Sequence, residues 1–352
     1  MNTRLIETLA SVGQPAVRLP LPGGGQVLVL PHGGRILGLY TPGSDDNVLW
    51  TNPALRSAKE AARLFASDGW RNTGGDRAWL APENDFFCPN YPKSSTYFQP
   101  RQLDPGRYRC KRTDRGVRLT CDLKLHSYRT REDLRLRIVK DIEPAANPFH
   151  QAPDMKRLAS LPFAGYTLRS ALELRGNAGR TPVGLWHLLQ MPHGGRMLVP
   201  TRFRVEPTLY FGTFPKRDLI AGERMIQYVM RIPGEHKIGV RAIALTGRAG
   251  YLYPRGKVWT LVVRNFSVNP SGHYVDALPN AGACPGDAFQ ACSVSNAQLG
   301  HFSELEYHVP AIGGATGLTR CEDASQVWAF RGPAAAVRRV AAALLGGGKQ
   351  NT

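Results

Sequence analysis

Leu134-Arg135-Leu136-Arg137-Ile138 alternates apolar and basic side chains residue by residue, the period of a strand with one face in a core and the other in water. It lies in a stretch, residues 107–144, that divides into strand-like runs at 108–113, 117–128 and 134–142, with Asp114-Arg115-Gly116 as the turn between the first two. Upstream, Val27-Leu28-Val29-Leu30, the turn Pro31-His32-Gly33-Gly34 and Ile36-Leu37-Gly38-Leu39 read as a hairpin with an apolar body. Further runs follow at 166–174, 183–191, 225–232, 238–245 and 258–268. Helical patterns are few. The N-terminus reads as a short helix with Leu5, Ile6 and Leu9 inward; others fall at 52–66, 153–160 and 333–345, the last stopped by Gly346-Gly347-Gly348. Many antiparallel strands with few short helices predict an all-β fold, a large sandwich of curved antiparallel sheets. One domain is expected over 25–332, after an N-terminal helix and lead-in at 1–24 and before a short C-terminal helix and tail at 333–352.

Composition bounds the function. The 352 residues are 42% hydrophobic and 20% charged, a globular balance, with a formal net charge of +18. The basic residues are mostly arginines scattered along the chain. Runs such as Arg107-Tyr108-Arg109-Cys110-Lys111-Arg112 alternate as the solvent side of strands does, and no zinc-finger, helix-turn-helix or aromatic ribonucleoprotein motif occurs. A solvated basic face is therefore favoured over nucleic-acid binding, although such a field would also steer an anionic substrate. No stretch approaches the roughly 18 apolar residues of a membrane span, and residues 1–13 lack the apolar core of a secretory signal, so a cytoplasmic monomer or weak homodimer is expected. The cysteines (88, 110, 121, 284, 292 and 321) form no C-x-x-C pair; plain thiols are favoured over bridges between Cys110 and Cys121 or between Cys284 and Cys292.

Chemistry concentrates in two places. Gly74-Gly75-Asp76-Arg77-Ala78-Trp79-Leu80-Ala81-Pro82-Glu83 brings a glycine turn, an acid, a base, an indole and a second carboxylate together. Far downstream, Glu304-Leu305-Glu306 sets two carboxylates on one face of a strand, with His308 on the same side. Rings beside carboxylates and guanidinium groups suit sugars, whose C–H faces stack while their hydroxyls take charge-assisted hydrogen bonds. Arg71, Asp76, Arg77, Trp79 and Glu83 are expected to line one cleft with Glu304 or Glu306. No helical His pair and no G-x-S-x-G elbow is present, and Gly23-Gly24-Gly25 precedes a strand, so neither a metal nor a cofactor is expected.

Three segments carry a resemblance. Gly33-Gly34-Arg35-Ile36 with Asn47-Val48-Leu49-Trp50-Thr51-Asn52-Pro53, the Gly74 to Glu83 segment, and Phe302-Ser303-Glu304-Leu305-Glu306-Tyr307-His308-Val309-Pro310 resemble the aldose 1-epimerase (galactose mutarotase-like) superfamily, in an uncharacterised bacterial branch. The resemblance implies a β-supersandwich with a concave sugar site, and a chemistry in which a carboxylate takes the proton of the anomeric hydroxyl while an acid protonates the ring oxygen. It implies Glu306, or else Glu304, as the base. Thr181-Pro182-Val183-Gly184-Leu185-Trp186-His187 resembles the strand that brings in the acid, which makes His187 the candidate; strand alternation instead puts Trp186 and Gln190 on the opposite face, and if that face is the concave one they bind sugar and His187 does no chemistry. Asp76-Arg77 stands where the family has its other histidine. The implied ligand is a sugar or sugar acid, and the alternative to an anomer-interconverting enzyme is a non-catalytic carbohydrate-binding protein on the same scaffold.

Overall fold

The computed structural model describes residues 3–91, 93, 96–150, 155–176, 179–278 and 285–346. Its strands, numbered in chain order, form two sheets in which every pairing is antiparallel. Sheet one has nine strands. Their order is β1 (Val17–Pro20), β2 (Gln26–Leu30), β3 (Arg35–Tyr40), β4 (Asp76–Ala81), β9 (Gly184–Pro192), β18 (Gly300–His308), β17 (Phe289–Asn296), β14 (Gly234–Val240) and β11 (Thr208–Phe211). Sheet two has ten: β12 (Leu219–Ala221), β13 (Met225–Val229), β10 (Arg196–Pro200), β15 (Arg248–Arg255), β16 (Val258–Phe266), β19 (Arg320–Gly332), β8 (Phe163–Leu174), β7 (Glu132–Pro144), β6 (Val117–Ser127) and β5 (Arg109–Arg112). The fold is all-β, as the alternation predicts. In β7, Leu134, Leu136 and Ile138 are buried while Arg135 is exposed.

The main core lies between the sheets, where Ile36, Leu185, Leu189 and Leu305 of sheet one meet Leu119, Ile138, Leu172 and Val262 of sheet two. The helices close what the sheets leave open. α1 (Thr3–Ser11) and α2 (Ala58–Ala66) cover Leu28, Leu30 and Leu37 with Leu5, Leu9 and Ala61; α5 (Ala334–Leu345) lays Val337, Val340 and Leu344 over Leu261, Val263 and Phe330. α3 (Glu83–Phe87) and α4 (Lys156–Ala159) are short. Part of the helix expected at 153–160 lies outside the described residues.

Three differences from the sequence reading have plain causes. The run 238–245 leaves the sheet at Val240 and tightens into a 3₁₀ turn at Ala242–Ala244, closed by Leu245 N–H on the Ala242 carbonyl. α3 was hidden by its brevity, one turn begun by Pro82 with Glu83 and Asp85 favouring its N-terminus. Cys110 registers against Leu119 and is exposed whereas Cys121 is buried, so the two are not cross-strand neighbours; both are free thiols, and Cys284 lies outside the described residues. No helix among the described residues is long and apolar enough to cross a membrane.

Candidate functional site

Gly74 and Gly75 let the chain cross where nothing else fits. Both have positive φ (97° and 81°), and a Cβ on either would come within 2.3 Å of a carbonyl oxygen, that of Trp50 or of Ile36. The crossing delivers β4 to the middle of sheet one, and alternation then sorts its side chains. Arg77 and Trp79 face outward into a cleft of about 940 Å³; Asp76 and Ala78 face the other sheet. β9 and β18 sort the same way. Trp186, Leu188, Glu304 and Glu306 line the cleft, while His187, Leu189, Leu305 and Tyr307 point into the core. Register brings the distant segments together: Leu188 of β9 pairs with Arg77 on one side and Glu306 on the other, and Gln190 pairs with Glu304.

Arg77, Trp79, Glu83, Trp186, Glu304 and Glu306 therefore share one cleft. Four other sequence candidates do not reach it. Asp76 is buried between the sheets, where it accepts hydrogen bonds from Arg264 (2.5 Å) and Tyr166 (2.6 Å). His187 is fully buried on that same inner side, 3.1 Å from Ser170 Oγ and stacked on Tyr307; burial and the nearby Arg264 charge push its pKa well below the usual imidazole value. It is a neutral core residue. Gln190 faces the cleft side but lies beneath Glu304, donating to its Oε1 at 2.8 Å. Arg71 is clasped through its backbone by Gln99 rather than turned toward the ligand space.

The floor is a set of buried charges on indole rings. Glu306 Oε2 accepts from Trp186 Nε1 (2.7 Å) and Lys237 Nζ (3.2 Å), while its Oε1 is buried without a partner. Burial, only partly offset by Lys237 and reinforced by Glu304, pushes the Glu306 carboxyl up to about 7. Glu304 is also raised by burial, against the pull of Arg77 (3.3 Å) and Gln190. Arg77 stacks 3.9 Å from the Trp79 ring centroid and Lys237 sits 4.5 Å from that of Trp186. Trp79 itself is fixed by Nε1 donating to Asp104 (2.8 Å), which also pairs with Arg35 (2.7 Å). For Lys237, burial lowers the pKa, but the carboxylates of Glu306, Glu83 and Asp276 overcome it and hold the ammonium firmly charged. On the cleft wall, Glu83 Oε1 accepts from the Tyr97 hydroxyl (2.8 Å), and burial raises its pKa. His308 lies flat on Trp186, and burial drives it down to about 4, so it is neutral at neutral pH.

Lys237, Tyr97 and Asp276 escape a reading of the sequence. Lys237 sits in Gly234-Glu235-His236-Lys237, where nothing local marks it; it belongs to the site only because β14 pairs with β17, placing Lys237 opposite Cys292, which in turn pairs with Glu304, and within reach of Glu306.

Cys292, Glu304 and Glu306 bring ligand atoms within 4.8 Å of one another, the geometry of a metal cage. The donor set does not fit one. Each carboxylate already holds a cation, Arg77 on Glu304 and Lys237 on Glu306, and a metal ion would have to expel a buried ammonium from the carboxylate it pairs with at 3.2 Å.

No model of a known protein family matches the chain, and no curated protein matches it either. Among solved structures, it aligns with a GalM/aldose epimerase homologue from C. elegans over 91% of this chain and 99% of that one, at 7% identity and a TM-score of 0.42. It aligns with a galactose 1-epimerase from Lactobacillus acidophilus over 90% and 94%, at 11% identity and a TM-score of 0.42. An alpha-galactosidase from Lactobacillus brevis aligns over 92% of this chain and 40% of its own, at 12% identity and a TM-score of 0.32.

Proposed function

We propose that the cleft binds a sugar and acts at its anomeric centre, with Glu306 as the base. The observation that carries this reading is the state of Glu306: a carboxyl poised at about 7, anchored through one oxygen, with the other buried and free. A base is most effective when its pKa lies near the working pH and its geometry is fixed. Tyr97, Phe98 and Phe211, exposed on the cleft lining, offer the apolar surfaces against which a pyranose ring packs, above a floor of Trp79 and Trp186 already covered by Arg77 and Lys237.

The acid is Lys237 rather than His187. The hydroxyl oxygen and the ring oxygen are both bonded to the anomeric carbon, so an acceptor and a donor side by side can serve both at once. Glu306 takes the hydroxyl proton as the carbonyl forms and the ring C–O bond breaks. The ring oxygen leaves as an alkoxide, a base strong enough to take a proton from so firmly held an ammonium; Lys237 stands 3.2 Å from Glu306 for that purpose. Rotation about the exposed C–C bond and the reverse steps give the other anomer, with both protons returned. One observation favours the alternative of a non-catalytic binder: among the described residues, His187 faces the core and His308, on the cleft side, is held at about 4, so neither supplies a protonated imidazole near neutral pH. An NMR anomer-exchange assay over a panel of hexoses separates the two. Saturable acceleration that Glu306→Gln abolishes supports the enzyme; binding without acceleration supports the binder.

A further inference from the structure

We propose that the ligand of this cleft is a cation, a protonated amino sugar, and that uronates are rejected; the sugar part of the inference rests on the function proposed above. The chain carries a net charge of +18, yet the cleft has more acids than bases. Its bases are all taken. Arg101 pairs with Asp68 at the rim (2.9 Å), Arg77 with Glu304 (3.3 Å) and Lys237 with Glu306 (3.2 Å). Glu83 is left over, with no cation within 4 Å among the described residues, and Asp276 lies behind it, accepting from the Glu83 backbone N–H at 3.2 Å. A ligand carboxylate would find no free clamp and would face Glu83, Glu304 and Glu306 at once.

A second observation points the same way and does not depend on counting acids. Glu306 Oε1, aimed into the cleft from a side chain 1% exposed, has no donor, and Gln290 Oε1 beside it in the β17–β18 register has none either. Buried acceptors without donors are costly, and they are satisfied by a ligand that brings N–H and O–H groups. An amino sugar brings both. Burial raises the pKa of Glu83 against the more distant pull of Lys237, with Asp276 and Glu306 adding to the rise, and a bound ammonium relieves that strain. The positive charge of the molecule as a whole does not forbid this, because it is spread over surfaces screened within about 8 Å at physiological salt.

The test is titration calorimetry of the full chain with glucosamine and galactosamine, their neutral parent hexoses and the two uronates, at about pH 6, below the range of an α-amino group. The amino sugar is expected to bind about tenfold or more tightly than its parent, the worth of one charge-assisted hydrogen bond, and the uronate not measurably. Glu83→Gln, checked for an unchanged melting transition, should erase the preference for the amino sugar over its parent. Equal binding of amino and neutral sugars, or any uronate binding as tightly as its parent, overturns the proposal and leaves the sugar reading standing. Ethanolamine, an ammonium without a ring, separates the two claims: if it binds and no sugar does, the cation preference stands and the sugar reading falls. If no probe binds, both fall.

Discussion

On the outer face of sheet two, Asp122 lies between Arg137 (2.6 Å) and Arg109 (2.8 Å); in the cleft of sheet one, Glu306 lies between Lys237 (3.2 Å) and the Trp186 N–H (2.7 Å). Both carboxylates touch donors, and their acidities move in opposite directions. Hydrogen bonds from Arg137 and Arg109 pull Asp122 down to about 2, because its own desolvation is slight. Glu306 rises to about 7, because burial outweighs its cation. The same rule covers the rest of each face. Arg118–Asp141, Lys124–Asp133 and the pairs of Arg320 with Glu173 and Glu322 form ladders in water, whereas Arg77–Glu304 and Lys237–Glu306 are sealed from it. An ion pair is a solubility device in the first setting and a poised proton acceptor in the second.

The comparison breaks most sharply at Glu306. Glu306→Gln should lower any anomerisation rate by about 10²–10⁴ with the fold intact, since the amide keeps the Trp186 contact but cannot take a proton; a fully active variant moves the role to Glu304. Next comes Arg77→Ala, which strands Glu304 in a site where both side chains are under a tenth exposed. It should cost about 3–5 kcal/mol in chemical denaturation, the range for breaking one side of a buried pair. A loss under about 1 kcal/mol would mean that the cleft behaves like the outer ladder.

The pH dependence follows from the direction of the Glu306 shift. Activity should climb about tenfold per unit on the acid side and level off above about 7 as the base ionises. The same shift opposes folding over that interval: the folded carboxyl holds its proton more tightly than the unfolded one, so its contribution to stability is lost as pH rises from about 4.5 to about 7. Lys237→Met removes both the proposed acid and the cation that restrains the carboxyl, so activity should be lost while the Glu306 titration, followed by carboxyl NMR, moves to higher pH. The smallest effect belongs to the ladder. Arg118→Ala, whose 2.6 Å contact to Asp141 is half exposed, should change stability by no more than about 1 kcal/mol and vanish into the error at high salt.

Alternation made the fold legible. Leu134-Arg135-Leu136 declares a half-buried strand without reference to any other part of the chain, and the same reading places Glu304 and Glu306 on one side and sets Trp186 against His187. It does not say which side is concave. Asp76 was read with Arg77 although they are adjacent and so face apart; its partner Arg264 is 188 residues away. Lys237 and Asp276 were invisible for the same reason, since their significance arises from register across β14, β17 and β18, which no local pattern encodes. A buried lysine looks like a surface one in sequence. Lys140 illustrates it: it occupies an inward position of β7, donates to the Gly34 carbonyl at 2.8 Å and is lowered by burial to about 8.

β4, β9 and β18 are single layers whose two surfaces belong to different trades, so the molecule's capacity to change is unevenly distributed. Deleting or inserting one residue in any of these strands would swap the surfaces, sending Asp76, His187 or Leu305 outward and Arg77, Trp186 or Glu306 into the hydrocarbon interior. New specificities must then arise there by exchange of one side chain at a time, every second position. The walls obey no such restriction. Tyr97 and Asp276 stand on irregular chain outside any strand, so those segments can lengthen or shorten without disturbing the register beneath them, and variants with altered ligand preference should accumulate their length changes in the walls.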